Sequence, residues 1–193
     1  MNELLEQAVE ILSQAGGVVL VPTETVYGLV CDWDDQLARE RIYALKVRDS
    51  RKPLAMFADS CNMAEKFGVK LNSDARILLE KFAPGPITVI APGNEIYPTI
   101  GVRIPDYDFI LQLLKLRKRP LASTSANASG MPNVLTVSEA LEQLAGKVDL
   151  AVDGGRLQDN AQASTVVSVC SSELQILREG PVSGDAIRKA FHQ

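Results

Sequence analysis

Gly17-Val18-Val19-Leu20-Val21-Pro22-Thr23-Glu24-Thr25-Val26-Tyr27-Gly28-Leu29 decides how this chain is read. The apolar run from Gly17 to Val21 predicts a short buried strand. After Pro22 the side chains turn polar, and Thr23, Glu24, Thr25 and Tyr27 crowd two hydroxyls, a carboxylate and a phenol at the strand's end. Polar groups packed so densely point to a ligand, and the end of a core strand is where an α/β sheet binds one.

Outward from that stretch, Leu4, Leu5, Ala8, Val9, Ile11 and Leu12 recur at helical spacing up to Gly16-Gly17 and predict a first amphipathic helix. Asp34 or Asp35 can cap a second, which delivers Lys46 and Arg48 at its C-terminal end. A strand is predicted over 54–58, a short helix over 61–67 and a longer one over 73–82, capped by Ser73 or Asp74. Pro84-Gly85-Pro86 then breaks the chain. Further strands are predicted over 87–91, 101–104, 121–123, 150–152, 164–169 and 174–177, and helices over 108–116, 138–144 and 185–190. Neither repeat nor linker divides the sequence, so residues 1–193 read as one domain of mixed α/β (α+β) class.

With 193 residues, 46% of them hydrophobic, the chain can bury one sizeable core. No apolar run approaches the roughly 18 residues of a membrane span, and the N-terminus lacks the basic start and apolar centre of a signal peptide. A soluble, cytoplasmic protein without membrane contact is expected. Cys31, Cys61 and Cys170 are scattered, with no C-x-x-C and no nearby histidine, which predicts buried thiols rather than disulfides or zinc. Histidine occurs once, as His192, so hydrolases built on an imidazole base are excluded. The net charge of −4 argues against a broad nucleic-acid grip, although Lys46, Arg48, Arg51 and Lys52, and again Lys115, Arg117, Lys118 and Arg119, form local basic runs.

Neither G-x-x-x-x-G-K-[ST] nor G-x-G-x-x-G is present, so a nucleotide must be held by other means. Lys46, Arg48 and Lys52 could converge on a polyphosphate, or could simply form a solvated turn that complements a helix dipole. Ser123, Ser125 and Asn127 alternate beyond Leu121-Ala122 and would share one face if strand geometry persists, or else belong to an ordinary polar loop before Gly130. Arg103 carries the planar fork that matches a carboxylate, yet an arginine among apolar neighbours can also face solvent on an edge strand.

Pro22 to Leu29 resembles the nucleotide-binding loop of the YrdC/TsaC family of threonylcarbamoyl-AMP synthases. Lys46-Val47-Arg48, Lys52-Pro53-Leu54, Pro84-Gly85-Pro86-Ile87-Thr88, Val102-Arg103-Ile104-Pro105, Ser123-Thr124-Ser125-Ala126-Asn127-Ala128-Ser129-Gly130, Ala163-Ser164-Thr165 and Leu177-Arg178-Glu179-Gly180 follow in the family's order. The resemblance spans about residues 10–190. It implies a twisted mixed sheet flanked by helices, with a basic cavity on one face. It further implies that threonine, bicarbonate and ATP, with Mg2+ carried by the nucleotide and no permanent cofactor, yield threonylcarbamoyl-AMP and pyrophosphate. The product would pass to a transferase complex that modifies tRNA.

The family's catalytic K-x-R and S-x-N residues match Lys46, Arg48, Ser125 and Asn127. Its threonine contacts fall on Thr25, Arg103 and Ser164, with Thr23 and Tyr27 lining the same pocket. Its nucleotide contacts fall on Arg48, Lys52, Thr99, Ser123, Ser125, Asn133 and Arg178. Two positions depart from the pattern: Phe57 stands where many relatives carry histidine, and Lys52 where asparagine is frequent. The sequence stops at Gln193, which matches the short, single-domain members. The alternatives are a catalytically divergent paralogue and an RNA-binding protein that uses the basic cavity. Few aromatic residues, 5%, weigh against the latter.

Overall fold

Leu5, Ala8 and Leu12 form the buried stripe of α1 (Glu3–Leu12) in the computed structural model, which describes residues 3–171 and 173–191. His192 lies outside the described residues. The chain reverses at Gly16, with φ 81°, and a Cβ on Gly17 would stand 2.0 Å from the Ile11 carbonyl oxygen, so glycine is needed for the return to the sheet. β1 (Val19–Val21) is fully buried, as its apolar run demands.

After the Pro22 loop the chain comes straight back as β2 (Gly28–Asp32), antiparallel to β1 with Val19 opposite Val30. The sequence reading holds no strand here, because five wholly buried residues carry no alternation to mark one. α2 (Gln36–Lys46) is capped by the Asp35 carboxylate, which accepts from the Ala38 N–H. β3 (Ala55–Phe57), α3 (Cys61–Lys66) and α4 (Ser73–Phe82) lie where expected, but the α4 cap is corrected. Asn72 accepts from Ala75 N–H, since the helix already includes Ser73 and the cap must precede it. β4 (Ile87–Pro92), β5 (Thr99–Arg103), α5 (Asp108–Arg117), β6 (Leu121–Ser125), α6 (Val137–Gln143), β7 (Leu150–Ala151), β8 (Thr165–Ser168), β9 (Gln175–Arg178) and α7 (Gly184–Phe191) complete the described elements.

Among the described residues the strands form one mixed sheet, ordered β7-β1-β2-β6-β3-β5-β4-β8-β9. Its joins are parallel at β7/β1, β3/β5 and β4/β8. The register sorts the two faces. Ala122, Met56, Val102, Val89 and Val167 stand side by side across five strands, and all are wholly buried in the apolar core. The helices supply the rest of that core: α4 packs on β4 and α7, α2 on β2, and α1 on β1 and α5. One residue along each strand the side chains point the other way. There Phe57 neighbours Arg103, and Thr88 neighbours Val166, which faces Arg178.

Of the cysteines only Cys31 is buried, and burial pushes its thiol up to about 12. Cys61 is half-buried and Cys170 exposed, so the expectation of three buried thiols holds for one. The two arginines of the second basic run are also accounted for structurally. Arg117 and Arg119 both pair with Asp32, and Arg119 with Asp34 at 2.8 Å.

Candidate active site

The face opposite the core floors a cavity of about 310 Å3, a volume within reach of a small-molecule site. Its floor follows from strand alternation: Ala55 and Phe57 of β3, Thr88 and Ile90 of β4, Thr99, Gly101 and Arg103 of β5, and Ser123 and Ser125 of β6. Thr23 and Val26 from the loop before β2, Arg48 beyond α2, Ser164 and Arg178 close its sides. Arg103 is interior to the sheet and only 6% exposed, so the edge-strand alternative fails. Its guanidinium lies 5.4 Å from the Phe57 ring centroid, an apolar and aromatic wall at the departing position.

Three guanidiniums, from Arg48, Arg103 and Arg178, thus meet around one cavity. Burial and then the neighbouring Arg103 charge pull the Arg178 pKa down, and burial does the same to Arg48. Arg178 donates to the Ser164 carbonyl through Nε at 3.0 Å and Nη2 at 2.8 Å. The Ser164 hydroxyl in turn meets Thr88 Oγ1 at 2.9 Å. Such crowded, partly desolvated cations suit a polyanionic ligand.

The loop that carries Thr23 and Thr25 is tied to Arg103 by a directed chain of bonds. Arg103 Nη2 donates to Thr25 Oγ1 at 2.7 Å. Thr23 Oγ1 donates to the Val26 carbonyl at 2.7 Å, which uses its only proton, so Thr25 donates to Thr23 across 2.8 Å. Glu24 Oε1 sits 2.8 Å from Arg103 Nη2, a charge contact without hydrogen-bond alignment. Both Glu24 oxygens and Arg103 Nε are buried with no hydrogen-bond partner among the described residues. Thr25 and Glu24 line a second cavity, which shares Thr23 with the first.

Lys46 is 1% exposed and donates to the backbone carbonyls of Ser125 and Asn127. Lys46 therefore meets the S-x-N pair at its carbonyls rather than at its polar side chains. Val47, a β-branched residue at φ 48°, follows in the left-handed region, and this strained turn separates an inward Lys46 from a cavity-lining Arg48. Burial, then the Arg48 charge, lowers the Lys46 pKa to about 8.

Other expected residues stand apart from the arginine-lined cavity. The Asn127 amide turns to the carbonyls of Ala128 and Met131, because the strand ends at Ser125 and its alternation stops there. Asn133 and Lys52 are exposed. Tyr27 is wholly buried, donating to the Gly155 carbonyl at 2.7 Å and accepting from Gly154 N–H at 3.0 Å, so it anchors the 153–155 loop. Burial raises its pKa. Sequence reasoning assigned no role to Glu24 or Thr88. Glu24 stood inside the quoted loop, and alternation from Thr88 to Ile90 would have placed Thr88 on the cavity face.

Residues 11–180 match the family model Sua5/YciO/YrdC, described as "Telomere recombination". The threonylcarbamoyl-AMP synthase of Vibrio cholerae is 33% identical over 92% of this chain and 98% of its own length. That of Pyrococcus abyssi is 33% identical over 91% of this chain, which spans only 54% of that relative. Among solved structures, P. abyssi Sua5 complexed with L-threonine superposes with a TM-score of 0.87 at 31% identity, over 97% of this chain and 56% of that one. E. coli YciO superposes at 0.85 with 26% identity, over 95% and 92%. Sequence match and shared sheet cover the same residues that build the cavity, and on both grounds the chain belongs to the Sua5/YciO/YrdC family.

Proposed function

We propose that this chain is a threonylcarbamoyl-AMP synthase acting in tRNA modification. The observation that carries the reading is the convergence of Arg48, Arg103 and Arg178 on one hydroxyl-lined cavity in a chain of net charge −4. Relatives named for this activity support it.

In the proposed reaction the threonine ammonium gives up a proton to solvent, the resulting amine bonds to the carbon of bicarbonate and water is lost, which gives an N-carboxylate. A carboxylate oxygen then attacks the α-phosphorus of ATP, the bond to the bridging oxygen breaks, and pyrophosphate leaves with the electron pair. Two anions must approach, so fixed cations in a desolvated site contribute most. Arg103, with Thr25 and Ser164 beside it, receives the threonine carboxylate. Arg48 and Arg178 hold phosphates, with the exposed Lys52 outside the cavity and Thr99, Ser123 and Ser125 on the floor beneath the nucleotide. Lys46 keeps an N–H donor beyond the two carbonyls it satisfies, and adds charge behind Ser125 and Asn127. Mg2+ travels with the triphosphate and is held by phosphate oxygens. A cytoplasmic setting and hand-over of the adenylate to a tRNA-modifying transferase follow from the same reading.

The test is pyrophosphate release from ATP with bicarbonate, in the presence of threonine, serine or no amino acid, with the AMP product weighed by mass spectrometry. Release that requires both threonine and bicarbonate, with the threonylcarbamoyl-AMP mass, is expected. Release indifferent to amino acid would overturn the reading in favour of a divergent paralogue.

A further inference from the structure

Glu24 is chemically unresolved by the roles above. Its two carboxylate oxygens are shielded from solvent and accept no hydrogen bond among the described residues, although Oε1 lies 2.8 Å from Arg103 Nη2. Arg103 shows the complementary deficit. Nη2 serves Thr25 and Glu24, while Nε is buried with no acceptor among the described residues, in a side chain only 7% exposed. A buried charge pair with one unmet acceptor group and one unmet donor is costly unless something completes it. The pair stands between two cavities: Arg103 lines the first, Glu24 lines the second, and Thr23 borders both.

A ligand that satisfies both offers a hydrogen-bond acceptor to the guanidinium and donors to the carboxylate, close together. An α-amino acid carries both on one carbon. We infer that Glu24 recognises the ammonium group of the amino-acid substrate while Arg103 takes its carboxylate, so that the Glu24–Arg103 pair reads the zwitterion. This rests on the proposed threonine site and deepens it: Glu24 is a specificity residue that admits amino acids and rejects acids without an ammonium. A carboxylate accepts all the ammonium's protons can offer, whereas a hydroxyl in the same place would leave a buried anion poorly matched.

Calorimetric titration of the whole chain, with a non-hydrolysable ATP analogue present, decides this. The ligands are L-threonine and its 2-hydroxy analogue, 2,3-dihydroxybutyrate of the same configuration. Wild type should bind threonine at least about 10-fold more tightly than the hydroxy acid, as expected for one lost charge-assisted bond. Glu24→Gln should weaken threonine by a similar factor, reduce the preference to below about threefold, and leave the affinity for the ATP analogue within about threefold. A folded Glu24→Gln protein that keeps the wild-type preference would assign Glu24 to support of Arg103 alone and overturn the inference. The wild-type comparison is decisive without any variant: affinities for the two ligands within about threefold of each other also sink it. Failure of wild type to bind threonine at all would remove the proposed function itself, and is thereby distinct from a threonine-binding protein that ignores the ammonium.

Discussion

Lys46 shows how one buried charge couples stability to chemistry. The folded protein releases its proton near pH 8, whereas the unfolded chain holds it to about 10.5. Below pH 8 both states are protonated and the full desolvation cost is present. Between the two values the unfolded state binds the extra proton, so stability rises with pH, by on the order of 3 kcal/mol at the upper end. Lys46→Met lacks this rise. The wild-type stability minus that of the variant, from urea melts at pH 7 and pH 10, should grow by more than about 1 kcal/mol, and a constant difference would refute the depressed pKa. Turnover should move the opposite way and fall above about pH 8, as the ammonium behind Ser125 and Asn127 is lost. At Arg103 the expectation concerns binding: Arg103→Ala should weaken threonine by at least about 10-fold and ATP by less than threefold, because its fork bonds Thr25, which shares the proposed threonine site. Calorimetry that finds the larger loss for ATP would reassign it to the nucleotide.

At the level of elements, the helices and most strands were legible because periodicity and caps are local signals. β2 was not, since a strand buried on both faces has no polar alternation to declare it. The omission had a consequence, because β2 ends in Asp32, and Asp32 is what occupies the second basic run. Burial works to raise the Asp32 carboxyl, but hydrogen bonds from Arg119 and Arg117 outweigh it and hold the group below its usual range. Arg117, with its side chain 4% exposed, also donates to the Leu12 carbonyl at the end of α1, so one cluster joins α1, β2 and α5. Asp32→Ala would leave that arginine without its counter-charge and should cost about 3–5 kcal/mol, as for other buried pairs broken on one side. Denaturant melts should show this while the KM values for threonine and ATP stay unchanged. A loss below about 1 kcal/mol would mean that water already screens the pair.

For the molecule as a whole, the cavity could be located from sequence only to the extent that strand ends and motif order located it. Arg48, Arg103, Ser123 and Ser164 were identified that way and do line it. Tyr27 and Asn127 were not separable from true liners, because whether a polar side chain turns to a cavity or to a neighbouring loop depends on where a strand stops, which is the least local of signals. The same limit applied to charge. Composition showed a chain of net charge −4, and only the fold reveals that three arginines stand together while Arg117 and Arg119 of the other basic run pair with Asp32 and Asp34. That separation makes a global prediction. Like charges held around one cavity destabilise the fold, and a polyphosphate offsets them, so ATP at about 100 times its dissociation constant should stabilise the protein by about 2.7 kcal/mol. In a chain of this size that corresponds to a rise in Tm of roughly 5–10 °C. At one fixed concentration adenosine, which lacks phosphates, should shift Tm far less, and raising NaCl from 50 to 500 mM should shrink the ATP effect while leaving that of adenosine nearly unchanged. Equal shifts for ATP and adenosine would show that the arginines do not meet the phosphates, and the cavity would then have to be read as a site for an uncharged ligand.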